Sequence, residues 1–546
     1  MNFEEKYSFW LKNVPNGSDI YKELIEIKEK KDEIYKRFNK DVNFGTAGVR
    51  AIMGAGSACL NIFTVSWITK AVSNFIKTKK NNLSVVIAYD TRRNSKLFAQ
   101  VSCSIFISNN IKVYCFSKPK PTPLLSFAVR NLCCSAGVMI TASHNPAEYN
   151  GYKLYGPDGG QISDVTEICE ELNKINIFEN VKFLDFNENK IKNADFVEDI
   201  YIEKILNIRF NKKKLENLNV VYSPLNGSAR DIFLKVSKKI GIKTFNTVKE
   251  QEFADENFTT CKNPNPEKKE SFNLAIELAK KKNADLIILN DPDGDRIGVA
   301  VKSKNNYKII NGNELSDLFL NYIIEQNLDK FSKKNNFLIF KSLVSGGLIN
   351  RIANYYGIQI KSAMPGFKNI AKLMKELEDK NQINNFLMGF EESHGFLFCD
   401  FVRDKDGIVA AMLICEIVSY YKNKDNNLIQ ILDKLYNKFG FYVRKTLYFK
   451  INDENQEITK KIKSNLLKKD KNFEFFFIEQ NLNYEISLDK NIILSRFSGT
   501  EPVIKFYIFA NANTKFEAMQ NYQYMENFII NLFPILEETL SKPKTT

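Results

Sequence analysis

Short apolar runs rich in β-branched residues recur along the chain, and each ends in a polar loop. "SVVIAYD" (84–90) leads into "TRRNS", "GVMIT" (137–141) into "ASHNP", and "NVVYS" (219–223) into "PLNGS". "DLIILN" (285–290) leads into "DPDGDR", "FLIFK" (337–341) into "SLVSGG", and "FLMGF" (386–390) into "EESHG". Helical patterns such as "NELSDLFLNYIIEQNL" from residue 313 lie between them. Strands alternating with helices predict α/β units with parallel or mixed sheets. In such sheets ligands bind beyond the carboxyl ends of the strands, where these polar loops fall. Ile and Leu at helical spacing among the charges of residues 18–40 predict one N-terminal helix.

The chemically richest loops stand at 141–146, 291–296, 389–395 and 496–502. They are separated by about 100 to 150 residues, a usual domain size. Four domains are therefore expected, each lending one loop to a shared cleft, with boundaries at 1–200, 201–310, 311–428 and 429–546. The stretch from 160 to 200 and "KNKDNN" (422–427) are the candidate linkers.

Composition narrows the class. Hydrophobic residues at 44% and charged residues at 26% describe an ordinary globular chain and exclude a disordered one. The N-terminus carries early acids and lacks the apolar stretch of a signal peptide. No apolar run reaches the roughly 18 residues of a membrane span, so a cytoplasmic protein without a membrane partner is expected. The net charge of +14 comes from lysines scattered beside Glu and Asp, with no sustained basic block. That reads chiefly as compositional bias of the source genome, argues against a nucleic-acid partner, and leaves attraction of small phosphorylated substrates as a lesser reading. Nine cysteines form no CxxC pair and read as reduced thiols, with the adjacent Cys133 and Cys134 expected to be buried.

Asp291, Asp293 and Asp295 alternate in "DPDGDR", and a bend at Pro292 and Gly294 can turn all three carboxylates inward. Three hard oxygen donors suit Mg²⁺ or Ca²⁺. An EF-hand is excluded, because Arg296 stands where it needs Gly and Lys302 where it needs Glu. Ser143 in "TASHNP" should be exposed at a strand end. The neighbouring His144 suggests a hydrolase pair, but adjacent residues in an extended chain point apart and no G-x-S-x-G elbow is present. A serine that carries a phosphoryl group against a metal fits better. Arg496, Ser498, Gly499 and Thr500 offer a phosphate cradle, and Glu391 and Ser393 offer partners for sugar hydroxyls. Lys405, between two acids, has the setting of a salt-bridged surface lysine.

Together these loops resemble the α-D-phosphohexomutases, the superfamily of phosphoglucomutase and phosphomannomutase. The motifs run in order from about residue 40 to 510: "FGTAGVR" (44–50), "YDTR" (89–92), "TASHNP" (141–146), "NGYK" (150–153), "PNPE" (264–267), "DPDGDR" (291–296), "GFK" (366–368), "GFEESHG" (389–395), "DKDG" (404–407) and "SGTEP" (498–502). The N-terminal extension and "EESHG" are similar to a longer subgroup with phosphopentomutase-like and glucose-bisphosphate-synthase-like members.

The resemblance implies an α/β fold of four domains around a central cleft, three similar α/β domains with mixed sheets and a smaller C-terminal α+β domain. It implies an isomerase that moves a phosphoryl group between the 1 and 6 positions of a hexose; a phosphopentomutase or a sugar-bisphosphate synthase is the alternative. Ser143 would be the phosphoserine and would complete a Mg²⁺ shell with the three aspartates, with a sugar bisphosphate as activator. Arg50, His144, Lys153 and Lys405 would lie at the transferring group, with Lys405, Lys153 or His394 as the general acid and base. Arg296, Gly366, Glu391 and Ser393 would contact the substrate, and Arg496, Ser498, Gly499 and Thr500 would clamp the idle phosphate. Sugar phosphates are the expected partners, to a monomer or homodimer. Phe497 departs from the family's usual Pro, Asn226 from a common His, and "GAGSACLN" (54–61) from a stretch with a basic residue.

Overall fold

The computed structural model describes residues 1–45, 48–79, 83–178, 188–331, 336–450, 472–478, 490–497 and 503–532. Residues 18–40 form two helices, Asp19–Glu26 and Lys31–Phe38, and a third, Phe3–Asn13, precedes them, so the expectation of one helix is corrected. Helices Phe3–Asn13 and Asp19–Glu26 each start on their own cap. Asn2 and Glu5 cap each other reciprocally, and the Ser18 hydroxyl accepts from the Tyr21 amide. The three helices close around Trp10, whose ring meets Phe38 and Phe63 edge to face. Cys133 is also a correction. It turns outward at φ +50 and is exposed, while Cys134 is buried.

Four sheets follow. The first contains β1 (Val49–Ile52), β2 (Ser84–Tyr89), β3 (Lys112–Cys115), β4 (Ala136–Ile140), β5 (Tyr149–Tyr155) and β6 (Ile191–Asn193), in the order β1-β5-β4-β2-β3-β6. The second contains β7 (Asn219–Ser223), β8 (Thr244–Thr247), β9 (Leu286–Asn290), β10 (Ile297–Ser303) and β11 (Asn306–Ile310), in the order β11-β10-β9-β7-β8. The third contains β12 (Leu338–Ser342), β13 (Gln359–Ala363), β14 (Phe386–Glu391) and β15 (Gly395–Leu397), in the order β13-β12-β14-β15. The fourth contains β16 (Phe441–Lys450), β17 (Glu474–Phe477), β18 (Ile492–Phe497) and β19 (Val503–Ala512), in the order β16-β19-β18-β17.

One topological device repeats. β4, β9, β14 and β18 each pair in parallel on one side and turn back into an antiparallel neighbour on the other. The serine, aspartate and "EESHG" loops are the first three of those reversals, and 498–502 is the fourth connection. A parallel strand end supplies a loop above the sheet, and the returning strand fixes its far end. β4 and β9 are buried along their whole length, which is why they read as continuous apolar runs.

Helix Gly407–Lys422 packs against β9, β10 and β15 and against helices Arg230–Lys239 and Gly312–Gln326. That is why it is buried nearly all round, with its one buried acid, Glu416, paired to Arg209. Helix Leu428–Phe439 packs on helices Gly312–Gln326 and Leu348–Tyr355. Leu343 and Val344, just past β12, join Ile492, Leu494, Tyr507 and Phe509 of the fourth sheet in one small core. Helix Lys515–Leu532 covers that sheet through Tyr522, Met525 and Ile529. Among the described residues no helix is long and apolar enough to cross a membrane.

Candidate active site

Ser143 lies just past the end of β4 with φ +52, in the left-handed region, and is buried, so the expectation of an exposed serine is corrected. For a residue with a Cβ this conformation costs about 1–2 kcal/mol. The turn brings its hydroxyl round to donate to Asp291 Oδ2 at 2.9 Å. It also brings the hydroxyl to 3.2 Å from His144 Nδ1. The sequence-based argument that the two side chains point apart is therefore corrected, because the backbone here is not extended. Burial holds His144 neutral, and the cationic Arg296 and Arg50 add to that effect. The Arg50 guanidinium reaches over the same loop and donates to Asn145 Oδ1 at 2.9 Å.

The aspartate loop follows β9, and Gly294 makes its bend at φ +67. Asp291, Asp293 and Asp295 are fully buried, and one oxygen from each lies within 4.8 Å of the others. Lys153 on β5 donates to Asp293 Oδ2 at 2.7 Å and lies 3.5 Å from Asp295 Oδ2. Lys405, just before helix Gly407–Lys422, stands 3.2 Å from Asp295 Oδ2 and 3.0 Å from Asp404 Oδ1. It is therefore an inward-facing lysine, not the surface one its flanking acids suggested. Three domains thus meet at one carboxylate cluster. Their approach is close: a Cβ at Gly407 would lie 2.6 Å from the Arg296 carbonyl oxygen and 2.7 Å from that of Gly294.

Charge in this cluster is strongly coupled. Burial and the neighbouring Asp293 and Asp295 push the Asp291 carboxyl well above the carboxylate range. Burial would raise Asp293 too, but Lys153 holds it below that range. Both lysines stay protonated despite burial, Lys153 through Asp293 and Lys405 through Asp295. Asp293 Oδ1 and Asp295 Oδ1 are buried without a hydrogen-bond partner. Unpartnered carboxylate oxygens in an all-oxygen set fit a hard divalent cation.

The residues expected to contact the substrate lie beyond this cluster. Glu391 ends β14 and accepts from the Gly366 amide at 2.8 Å; burial raises its carboxyl. Gly366 takes φ +113 at the start of helix Phe367–Asp379. Ser393 is half-buried in the turn to β15. His394 is buried, and its Nδ1 sits 2.9 Å from the Ile297 carbonyl. Arg296 donates through its amide to Asp291 Oδ1 at 2.9 Å and through its guanidinium to Glu267 of "PNPE" at 2.7 Å. Arg496 lies near the end of β18 and donates to the Tyr507 hydroxyl at 3.2 Å. Ser498, Gly499 and Thr500 lie outside the described residues. Phe497 stays in the ladder opposite Ile504 and packs on Phe477 at 5.4 Å.

Several site residues escaped sequence reasoning. Thr122, opening helix Thr122–Asn131, donates its hydroxyl to Asp293 Oδ2 at 3.0 Å and its amide to the Asp293 carbonyl at 2.8 Å. Tyr155 donates to Asp404 Oδ2 at 2.7 Å. Neither pairing leaves a local signal, since the partners are far apart in sequence. Asp90 and Arg92 did leave one, the motif "YDTR" at a strand end.

Comparison with known proteins shows the family. Family models described as "Phosphoglucomutase/phosphomannomutase, alpha/beta/alpha domain I", "domain II" and "domain III" match residues 41–177, 199–304 and 311–439. A phosphoglucomutase of Staphylococcus haemolyticus is 35% identical over 524 residues, 89% of this chain and 94% of that protein. A Staphylococcus aureus phosphoglucomutase is 34% identical over 88% of this chain and 92% of its own. Two solved structures share the fold. Parafusin of Paramecium, in its open form, has a TM-score of 0.70 at 16% identity, covering 93% of this chain and 98% of its own. A Burkholderia thailandensis phosphoglucomutase/phosphomannomutase family protein has a TM-score of 0.68 at 19% identity, covering 90% and 97%.

Proposed function

The chain belongs to the phosphoglucomutase/phosphomannomutase family of phosphohexomutases, and from that premise we propose that it interconverts glucose 1-phosphate and glucose 6-phosphate through Ser143. The observation that carries this reading is the Ser143 hydroxyl donating to Asp291 Oδ2 at 2.9 Å, inside a buried trio of aspartates. The name phosphoglucomutase on the Staphylococcus relatives supports glucose as the sugar.

In the proposed cycle Ser143 carries a phosphoryl group at rest. A free hydroxyl of the bound sugar phosphate attacks phosphorus as the bond to serine Oγ breaks, and a sugar bisphosphate results. After the bisphosphate turns over in the cleft, serine Oγ attacks the phosphorus of its other phosphate as the bond to the sugar oxygen breaks, which regenerates the phosphoserine and frees the isomeric sugar monophosphate. The same bisphosphate, supplied from outside, would activate enzyme that has lost its phosphate. Phosphoryl transfer needs positioning and charge neutralisation above all. Arg50, Lys153 and Lys405 supply fixed cations around the reacting phosphate. His394, which burial keeps neutral, is the candidate to take the hydroxyl proton, while Lys153 and Lys405, held protonated by Asp293 and Asp295, can serve only as proton donors. Asp291, Asp293 and Asp295 would hold Mg²⁺, which when bound polarises the phosphoryl oxygens and neutralises their charge. Glu391 and Ser393 would read ring hydroxyls, Gly366 and Arg296 would shape that wall, and Arg496 with Ser498, Gly499 and Thr500 would clamp the idle phosphate.

A coupled assay tests the reading, with glucose, mannose and ribose 1-phosphates and one common activating bisphosphate. Glucose 1-phosphate is expected to have the highest specificity constant, with little free phosphate released. A site built for ring hydroxyls leaves buried polar groups unpaired on a sugar that cannot reach them. A ribose value about tenfold above both hexoses would overturn the hexose assignment, and release of phosphate without isomerisation would overturn the mutase.

A further inference from the structure

The motif "YDTR" has no part in the reading above. We propose that Asp90 and Arg92 form a clamp that holds the Ser143 loop in its left-handed turn, which makes Arg92 a positioning residue for phosphoryl transfer. The inference rests on the proposed function only for its turnover readout.

Arg92 lies just past β2 and is buried, 3% exposed. Its Nη1 donates to the Pro146 carbonyl at 2.9 Å and to that of Tyr149 at 3.2 Å. Its Nη2 donates to the carbonyls of Ser143 and of Asn145, the latter at 2.5 Å. Four carbonyls of one loop thus converge on one guanidinium, a use that the planar fork of Arg allows and the point charge of Lys does not. The Phe258 ring of the second domain covers the guanidinium at 4.9 Å.

Asp90 holds the other side. Its Oδ2 lies 3.2 Å from Arg92 Nε and accepts from the Thr141 hydroxyl at 2.6 Å. Its Oδ1 accepts from the Ser95 hydroxyl at 2.6 Å and the Arg92 amide at 3.0 Å. Thr141 Oγ1 in turn accepts from the Ser143 amide at 2.8 Å. Carbonyls of the turn are therefore held from outside the loop by Arg92, and the Ser143 amide is held by Thr141, which Asp90 anchors in turn. A buried cation is costly unless its donors are used, and every hydrogen bond Arg92 donates through its guanidinium goes to the loop that carries Ser143. That loop takes a strained φ and must place one oxygen on a reacting phosphorus. Misplacement by about 1 Å costs about a hundredfold in rate.

The test uses the full chain with Arg92→Lys and Arg92→Ala, comparing thermal unfolding, hydrogen exchange of the amides between 141 and 150, and kcat and KM for glucose 1-phosphate. Faster exchange confined to that loop is expected, with kcat down about a hundredfold and KM within about threefold. Millimolar guanidinium ion should restore part of the turnover of Arg92→Ala. Unchanged exchange, kcat within about threefold of the parent, or a loss expressed in KM alone would overturn the clamp. Should Arg92→Ala fail to fold, Arg92→Lys decides by the same readouts. If the parent enzyme itself lacks mutase activity, the proposed function falls, and the exchange measurement still decides the clamp.

Discussion

The end of the cleft proposed to transfer the phosphoryl group and the end proposed to read the substrate are built to different tightness. Ser143, Asp291, Asp293, Asp295 and Lys153 are each no more than 3% exposed, and contacts from three domains cross-link them. At the other end Ser393 and Arg496 are half-buried, and Glu391 is fixed by the backbone amide of Gly366. The difference follows from the proposed reaction. A phosphoserine must be shielded from water and surrounded by fixed charge. A bisphosphate that turns over between two half-reactions needs a wall that lets it move.

The largest expected effect lies at the tight end. Asp293→Asn keeps the volume but removes the charge that faces Lys153 and one of the proposed metal oxygens. Turnover should fall at least about a hundredfold, as when one preorganised transition-state contact is lost. Activity near that of the parent, with Mg²⁺ supplied, would erase the contrast between the two ends.

Arg496→Ala probes the loose end. A charge-assisted contact to phosphate contributes about 1.5–3 kcal/mol, so binding should weaken roughly ten- to hundredfold. KM for glucose 1-phosphate measures it, and the loss should be similar with glucose 6-phosphate, because one clamp serves whichever phosphate is idle. Unchanged binding would mean that Tyr507 keeps Arg496 and the clamp lies elsewhere.

The smallest effect is one of stability, at the seam between the third and fourth sheets. Lys341 on β12 is buried and donates to the Ser345 carbonyl at 2.7 Å. Burial, with Arg444 nearby, pushes its amine down to about 7. A lysine in the unfolded chain titrates near 10.4. Between these values the unfolded chain binds more protons, so the destabilisation is fully present below about pH 7 and fades as pH rises toward about 10. Lys341→Met should therefore raise the melting temperature more at about pH 6 than at about pH 9.5. Equal shifts at both pH values would show that Lys341 keeps an ordinary amine.

Much of the tight end was legible because its residues sit where strand periodicity stops. β4 and β9 end on Ile140 and Asn290, and the polar residues that follow could only be loop. Charge spacing then pointed from Asp291, Asp293 and Asp295 to a cation. The left-handed turn at Ser143 left no trace, because a serine there looks like any strand-end serine. Thr122 and Tyr155 were hidden for another reason, since their partners Asp293 and Asp404 belong to other domains. The break inside residues 18–40 was missed because it falls at residues 27–30 and the second helix starts on Lys30, which makes no capping side-chain bond to mark it.

The central claim is that Ser143 carries the phosphoryl group through turnover. Its most direct test is intact-mass and peptide measurement of the parent protein and Ser143→Ala, before and after incubation with glucose 1,6-bisphosphate. The account predicts a single phosphate on the peptide containing Ser143, restored by the bisphosphate after its removal, and absent from an inactive Ser143→Ala. Near-normal turnover by Ser143→Ala, or a phosphate that maps to another residue, would contradict it.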